Sequence, residues 1–488
     1  MYTLDDPYIH LSLAENLLRG HYGVNLDEVA SPSSSILYPF LLAGTLGLGL
    51  GDLGPFVLNV IGALGAAWLM SGFFWDAVAK SASGRLSVLS YVAVPALLFA
   101  INGFALAFTG MEHTLHVFAS LAIILGLSRL SSDHAPSFLF FVAVVAVPLL
   151  RFEGFALAGA ALFAVALWGY WTRAIITGTI IVGIVTSYIL LMKSLGLPLM
   201  PSSVMVKSGP AAAMATSHFS SIFGEVLLSF RDSLKDQQGV VLTVAVVLLL
   251  LGAIRAKNRP QARTVAIVAA TASVAHLLVG RWNWFGRYEI YIIATAIAAL
   301  LTVWSPWLSK TSRQLTGPIL VIVMAPLVGF TYIYVTYLTP YASQNIYDQQ
   351  YQMHRFAVEY SEPVAVIDLG WVTYRNDEYV LDLWGLGSET ARQLFNAEGH
   401  TPGPIRRMTT DASVTYAMLY EEVFDEGLPQ EWCRIAQLST SQVTASFGTV
   451  EFFLIDPEKE DLMRSALQAF APTLPDASTI AVFDCPAQ

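Results

Sequence analysis

Ten stretches of this chain are long and apolar enough to call for a lipid environment. A hydrocarbon core about 30 Å thick needs roughly 20 consecutive apolar residues, with ~17–25 tolerated. Candidate spans run near 54–79, 86–103, 112–128, 136–150, 154–170, 174–192, 239–254, 264–280, 288–304 and 316–338. An eleventh stretch, Ser35–Leu50, is short and glycine-rich and reads as a juxtamembrane or re-entrant helix. Of the 488 residues, only 13% are charged, against about 25% in soluble domains, which excludes a soluble enzyme. An aromatic content of 12% excludes acidic disorder.

The net charge of −10 conceals two opposed parts. Residues 1–339 hold 18 Lys/Arg and 14 Asp/Glu, whereas residues 340–488 hold 8 and 22. The chain therefore divides into an acidic-pair loop with a juxtamembrane helix (1–53), a membrane domain (54–339) and a C-terminal acidic domain (340–488). Nothing in this pattern offers a nucleic acid partner. Alternate loops carry Lys80/Arg85, Arg129, Arg173, Arg255/Lys257/Arg259/Arg263 and Lys310/Arg313. Cationic short loops mark the cytoplasmic side, so the N-terminus and residues 340–488 are expected outside, on a bacterial inner membrane. A polar start on the outer face with no helix before it suggests a further transmembrane helix upstream of Met1.

The C-terminal domain reads as α/β. Tyr341–Glu359 forms a helix leaving the membrane, and Pro363–Leu369, Tyr379–Leu383, Val450–Ile455 and Thr479–Phe483 form strands, with a helix from Glu458 to Phe470. Both cysteines, Cys433 and Cys485, fall here, and an oxidising compartment favours one disulfide between them. Two buried thiols are the alternative. The fold class expected is a polytopic α-helical membrane protein of about ten spans with an extracytoplasmic α/β domain.

The outer loops hold most of the polar oddities. Asp5-Asp6-Pro7-Tyr8 opens a helix over Tyr8–Leu18. Adjacent carboxylates repel, which raises the proton affinity of one and suits a general base; the plain alternative is a helix N-cap. Glu112 stands at the outer end of a span, and Arg151-Phe152-Glu153 joins two others. Ionisable groups at membrane depth are costly and are functional candidates, with a structural Arg–Glu pair as the alternative. Lys207 follows Pro201-Ser202-Ser203, and Arg281 and Arg287 bracket an aromatic loop, Trp282-Asn283-Trp284-Phe285. An interfacial aromatic belt with snorkelling arginines is the bland reading of that loop. An acidic pair facing several cations at the membrane surface is the composition that binds a lipid phosphate and deprotonates a hydroxyl.

These landmarks resemble the GT-C class of integral-membrane glycosyltransferases, particularly the branch with terminal arabinofuranosyltransferases of mycobacterial cell walls. The matching residues are Asp5-Asp6-Pro7-Tyr8-Ile9, Ala14–Gly20, Ser31-Pro32, Gly110-Met111-Glu112, Arg151-x-Glu153-Gly154, Pro201 with Lys207, Val366-x-Asp368-x-Gly370 and Leu381-Asp382-Leu383-x-Gly385-Leu386. They occur in family order along nearly the whole chain. Two features depart from the pattern: no helix precedes the acidic pair, and Pro201-Ser202-Ser203 replaces the family's Pro-Asn-Thr.

The resemblance implies an inverting transferase that uses a polyprenyl-phosphate sugar, of arabinofuranosyl type, on a glycan, lipid-linked or protein acceptor. It implies Asp5 as base and Asp6 as an orienting group. Lys207, Arg281, Arg287 and His10 would hold the donor phosphate, with Glu112, Arg151 and Glu153 shaping the cavity. A divalent metal beside the carboxylates is compatible with this reading but not demanded by it. Asp368 and Asp382 read as turn-forming residues closing strands. The competing functions are a transporter or flippase of lipid-linked saccharide and a membrane-anchored assembly protein.

Overall fold

The computed structural model describes all residues except 80–85, 134, 208–218, 313–323, 326–327, 425, 442–443, 445–446 and 486–488. The N-terminal segment contributes α1 (Asp6–Leu18) and α2 (Tyr38–Gly47), which pack on each other. The helical body follows as α3 (Gly54–Phe74), α4 (Leu86–Ala100), α5 (His113–Ser128), α6 (Phe138–Leu150), α7 (Gly154–Val165), α8 (Trp171–Ser194), α9 (Ser202–Lys207), α10 (Phe219–Ser233), α11 (Gln237–Arg255), α12 (Pro260–Val279), α13 (Ile290–Ser312) and α14 (Phe330–Asp348).

Among the described residues, five helical runs are long and apolar enough to cross a membrane: Gly51–Val78, Gly154–Ser194, Gln237–Arg255, Pro260–Val279 and Ile290–Lys310. The chain is a multi-pass membrane protein. The shorter apolar helices α5 and α6 coincide with two more of the sequence's spans. The expected spans 154–170 and 174–192 form one run interrupted at Gly169, whose φ of 93° no right-handed helix adopts. The chain turns back there: Tyr188 and Met192 cluster with Leu149, whose helix ends where α7 begins. Of the candidate span 316–338, residues 316–323 and 326–327 lie outside the described residues, and its last part opens α14.

The C-terminal domain is a three-layer α/β/α structure. Its sheet runs in the order β2-β1-β3-β5-β4-β6, from β1 (Val364–Val366), β2 (Val380–Asp382), β3 (Tyr416–Leu419), β4 (Cys433–Thr440), β5 (Thr449–Leu454) and β6 (Ser478–Val482). The strand β1 is parallel to β2 and β3, and the remaining pairs are antiparallel. Side chains alternate between faces. Val364, Val366, Tyr416 and Met418 meet α15 (Gln350–Tyr360) and α19 (Glu460–Phe470). Ala365, Ala417 and Leu419 meet α17 (Glu389–Glu398) and α18 (Pro402–Asp411). A short α16 (Gly370–Thr373) follows β1.

Two strands, β3 and β4, were not expected. The single helix expected over Tyr341–Glu359 is two, because Gln349 leaves helical geometry (φ −121°, ψ −78°). Cys433 and Cys485 are joined as a disulfide with Cα atoms 5.6 Å apart, tying the start of β4 to the chain beyond β6.

The first 53 residues seat this domain on the helical body. Asn25 exchanges two hydrogen bonds with the backbone of Val380, at 2.9 and 3.0 Å, and so extends the sheet beyond β2. Glu28 accepts from the Tyr379 and Ser388 hydroxyls. Tyr8 stacks on Trp371 with ring centres 3.9 Å apart. Ile9 and Val24 enter the apolar core of the sheet domain itself.

Candidate active site

Where the sheet domain sits, the helix ends gather nearly every ionisable residue singled out above. Asp5 occupies the N-cap position of α1 but its side chain makes no capping bond. It reaches instead across 365 residues: Oδ2 accepts from the Gly370 amide at 2.6 Å and Oδ1 from the Trp371 amide at 2.9 Å. The capping alternative therefore does not describe this carboxylate. The approach is so close that a Cβ on Gly370 would lie 2.2 Å from the Asp5 carbonyl oxygen. Burial pushes the Asp5 carboxyl well above its usual value, the charges of Asp368 and Asp6 add to this, and the two amides oppose it.

Asp6 turns the other way and accepts from Arg287 Nη2 at 3.2 Å. The Arg287 guanidinium is 1% exposed and also donates to the Tyr288 hydroxyl at 3.3 Å. Its Nε and Nη1 are buried without a hydrogen-bond partner among the described residues. An unmet donor on a buried cation costs more than an ordinary lost hydrogen bond, so this arrangement is incomplete without an anion or water.

The chain holds Arg287 in place with a strained turn. Asn283, Trp284, Phe285 and Gly286 all have left-handed φ, between 50 and 66°. For the three non-glycine residues that costs roughly 1–2 kcal/mol each. Asn102 Nδ2 offsets it by donating to the Phe285 and Gly286 carbonyls, both at 3.0 Å. The Asn283 amide donates to Glu289 at 2.9 Å. Strain of this kind persists only where surrounding contacts over-determine it.

Beside Arg287 lies a second ionic group. Arg151 donates to Glu112 at 2.9 Å and forms a two-pronged pair with Glu153, at 2.9 and 3.2 Å. Both readings of Arg151 and Glu153 meet here, because the pair fixes the α6–α7 junction and also borders the Arg287 site. Glu112 is fully buried, and its Oε2 has no partner among the described residues. Tyr288 joins the two groups: the guanidinium carbons of Arg151, Arg281 and Arg287 lie 5.1, 5.6 and 5.1 Å from its ring centre. Cations over a tyrosine face are attracted by its quadrupole, which helps three like charges share one place.

His10 is buried, with Nδ1 3.2 Å from Ser33 Oγ and its ring edge-on to Tyr38. Ser34 reaches Glu112 and Arg151, and Ser35 reaches the Leu149 carbonyl, so the run after Pro32 laces α1 to the ends of α5 and α6. The Lys207 backbone ends α9, and its side chain lies outside the described residues.

Two acidic residues of the sheet domain have separate roles. Asp382 accepts three backbone amides, from Trp384, Leu386 and Gly387 at 2.8, 2.6 and 2.7 Å, and is the turn-forming residue its position suggested. Asp368 is not. It accepts from the Tyr420 hydroxyl at 2.5 Å and from Gln350 at 2.9 Å, and its charge bears on Asp5. The residues missed from sequence are Tyr288, Asn102 and Ser33–Ser35, and Asp368, one of the matching landmarks, was read as a turn-forming residue. For Tyr288 the available signal was its place directly after Arg287.

Among the described residues, no three His, Cys, Asp or Glu side chains are grouped to hold a metal ion. Asp5 is taken up by two amides and Asp6 by Arg287.

Comparison with known proteins gives a family match over residues 344–453 to a domain of unknown function, DUF8728. No curated protein matches the chain. Solved structures of an oligosaccharyltransferase from Archaeoglobus fulgidus are similar in part. Its complex with Zn and sulfate is 13% identical with a TM-score of 0.47, over 97% of this chain and 70% of that one. The apo form is 14% identical with a TM-score of 0.44, over 91% and 70%. The same enzyme, AglB, with an inhibitory peptide and a dolichol-phosphate is 13% identical with a TM-score of 0.40, over 91% and 70%.

Proposed function

We propose that this chain is a membrane glycosyltransferase that moves a sugar from a polyprenyl-phosphate donor to an acceptor hydroxyl, with inversion, on the outer face of a bacterial inner membrane. The observation that carries the reading is Arg287, a buried guanidinium whose Nε and Nη1 have no partner among the described residues, bonded on its other side to Asp6 of an acidic pair. The same reading draws support from convergence. Sequence landmarks near residues 5, 112, 151, 287 and 368 meet at one end of the helical body. The charge pattern of the loops supports the outward orientation. The donor sugar is proposed as arabinofuranosyl-type on the sequence resemblance alone.

The chemistry is a single displacement. Arg287 Nε and Nη1 bind oxygens of the donor phosphate, with the Arg281 and Arg151 charges beside them. Asp5 takes the acceptor proton as the acceptor oxygen bonds to the anomeric carbon. The anomeric carbon–oxygen bond breaks, and its electron pair leaves on the phosphate, where preorganised cations stabilise the charge. One base and no protein nucleophile suffice, unlike the two carboxylates of glycosidases. Asp6, bonded to Arg287, orients the pair.

The test is transfer from radiolabelled polyprenyl-phosphate sugars by the protein in proteoliposomes, with Asp5→Asn alongside. Wild-type transfer and at least a 100-fold loss in the variant are expected. Retained transfer in Asp5→Asn removes Asp5 as base. Wild-type inactivity with every donor points to transport or assembly instead.

A further inference from the structure

We propose that the sheet domain completes the catalytic pair: Asp368, fixed at the head of the turn whose amides hold Asp5, is a positioning residue for that base. For its catalytic meaning this rests on the glycosyl-transfer reading, but the pairing itself does not.

The geometry runs through one turn. Asp368 ends the segment after β1, and the next two amides but one, Gly370 and Trp371, grip both oxygens of the Asp5 carboxylate. Asp368 cannot swing away to relieve the repulsion, because Tyr420 and Gln350 hold its Oδ2 at 2.5 and 2.9 Å. Tyr420 is itself bonded to Gln349 at 3.1 Å, and Gln350 to Gln349 at 3.0 Å, so the two donors to the carboxylate are themselves held in place. Trp371 is clamped between Tyr8 and Tyr351, with ring centres at 3.9 and 4.8 Å. A glycine at 370 is required, since any side chain there would meet Asp5.

The groups around the pair are few. From α1 come Asp6, with Arg287 bonded to it, and Tyr8. From the α14–α15 junction come Gln349 and Gln350, and Tyr420 follows β3. Behind Trp371 lies His354, which burial pushes down to about 4 and so keeps neutral near pH 7. Beyond Tyr374 the Asp52–Arg375 ion pair closes at 3.1 Å. Arg287 approaches this set from the membrane side and bonds Asp6, while the bonds shown on Asp5 and Asp368 come from backbone amides, a hydroxyl and a side-chain amide. Burial raises Asp368 as well, with the charge of Asp6 adding to it.

Two carboxylates so placed bind one proton jointly and release it in macroscopic steps that belong to the pair. The sign follows. As pH falls through the raised value, the pair takes up a proton and the base is lost, so transfer has an acid limb set by Asp368. Removing the Asp368 charge lowers the proton affinity of Asp5 and moves that limb to lower pH. Removing the Tyr420 hydroxyl, which stabilises ionised Asp368, moves it to higher pH.

The experiment titrates the full-length protein in nanodiscs by infrared spectroscopy of the carboxyl band with ¹³C-labelled aspartate, and measures the pH dependence of transfer in parallel. The variants are Asp368→Asn, which keeps an oxygen for Tyr420 and Gln350, Tyr420→Phe and Asp5→Asn. Expected are a carboxyl band lost in Asp5→Asn, a midpoint about one pH unit lower in Asp368→Asn and a higher midpoint in Tyr420→Phe. An unmoved midpoint in Asp368→Asn overturns the proposal, even if transfer slows uniformly. Moved midpoints in a protein that transfers nothing uphold the pairing and sink the transferase reading.

Discussion

Replacing Arg287 by lysine keeps the charge and removes the fork, which makes it a sharp test of the donor-phosphate assignment. The arginine presents two buried nitrogens, Nε and Nη1, with no partner among the described residues, while Nη2 bonds Asp6 and Tyr288. Each charge-assisted hydrogen bond contributes about 1.5–3 kcal/mol. A lysine ammonium that stays with Asp6 can offer the phosphate one bond at best, so the loss should be at least about 1.5–3 kcal/mol, or roughly 13- to 160-fold in kcat/KM. The assay is transfer from the radiolabelled donor in proteoliposomes at saturating acceptor. Thermal unfolding runs beside it, because removing one partner of a buried pair destabilises by about 3–5 kcal/mol. Arg287→Gln with Asp6→Asn separates the two effects: the double replacement leaves no buried lone charge and should recover stability without recovering transfer. Lysine retaining the rate within about threefold would refute the assignment, since no phosphate bonded by a two-pronged guanidinium tolerates that exchange.

Two further outcomes follow from geometry. Gly370→Ala places a methyl 2.2 Å from a backbone oxygen of Asp5, so the turn must leave the carboxylate. Transfer should fall at least 100-fold and Trp371 fluorescence should change as its stack on Tyr8 opens, while circular dichroism shows the sheet intact; unchanged fluorescence would speak against the contact. Reducing the Cys433–Cys485 disulfide, which closes a separation of 52 residues, should cost the sheet domain about 4 kcal/mol. That corresponds to a fall of roughly 8–16 °C in its unfolding midpoint, followed through Trp432, and an unmoved midpoint would assign the bond no stabilising part.

What could be read from the sequence is what each segment states by itself. A membrane helix declares its own apolarity, so the Gln237–Arg255, Pro260–Val279 and Ile290–Lys310 spans were visible within a few residues. The strands β1, β2, β5 and β6 likewise showed as short apolar runs bounded by turn residues. The strand β4, Cys-Arg-Ile-Ala-Gln-Leu-Ser-Thr, did not, because its mixed polar pattern only makes sense once β5 and β6 lie on either side. Asp5 and Arg287 were legible as chemistry, since paired carboxylates and interfacial arginines are unusual wherever they occur. Asp368 was not legible: an aspartate closing a strand is the ordinary start of a turn, as Asp382 is. Only the fold, by bringing β1 over α1, turns one of two similar aspartates into a neighbour of the base.

That dependence has a physical consequence for how the site comes into being. Arg287 is set by a left-handed turn that Asn102, 183 and 184 residues away from the carbonyls it bonds, must hold. Asp5 is set by amides 365 and 366 residues away. Both halves depend on these distant contacts, and contacts so far apart in sequence carry the largest closure entropy and form late in folding. Before the sheet domain docks, Asp5 has no amides to orient it and no Asp368 to raise its proton affinity, so the acidic pair is an ordinary pair at the head of a helix. After docking, both the proposed base and the proposed phosphate-binding cation are fixed before any substrate arrives, as preorganised stabilisation of a developing charge requires. The sheet domain thus belongs to the chemistry as directly as the membrane helices do.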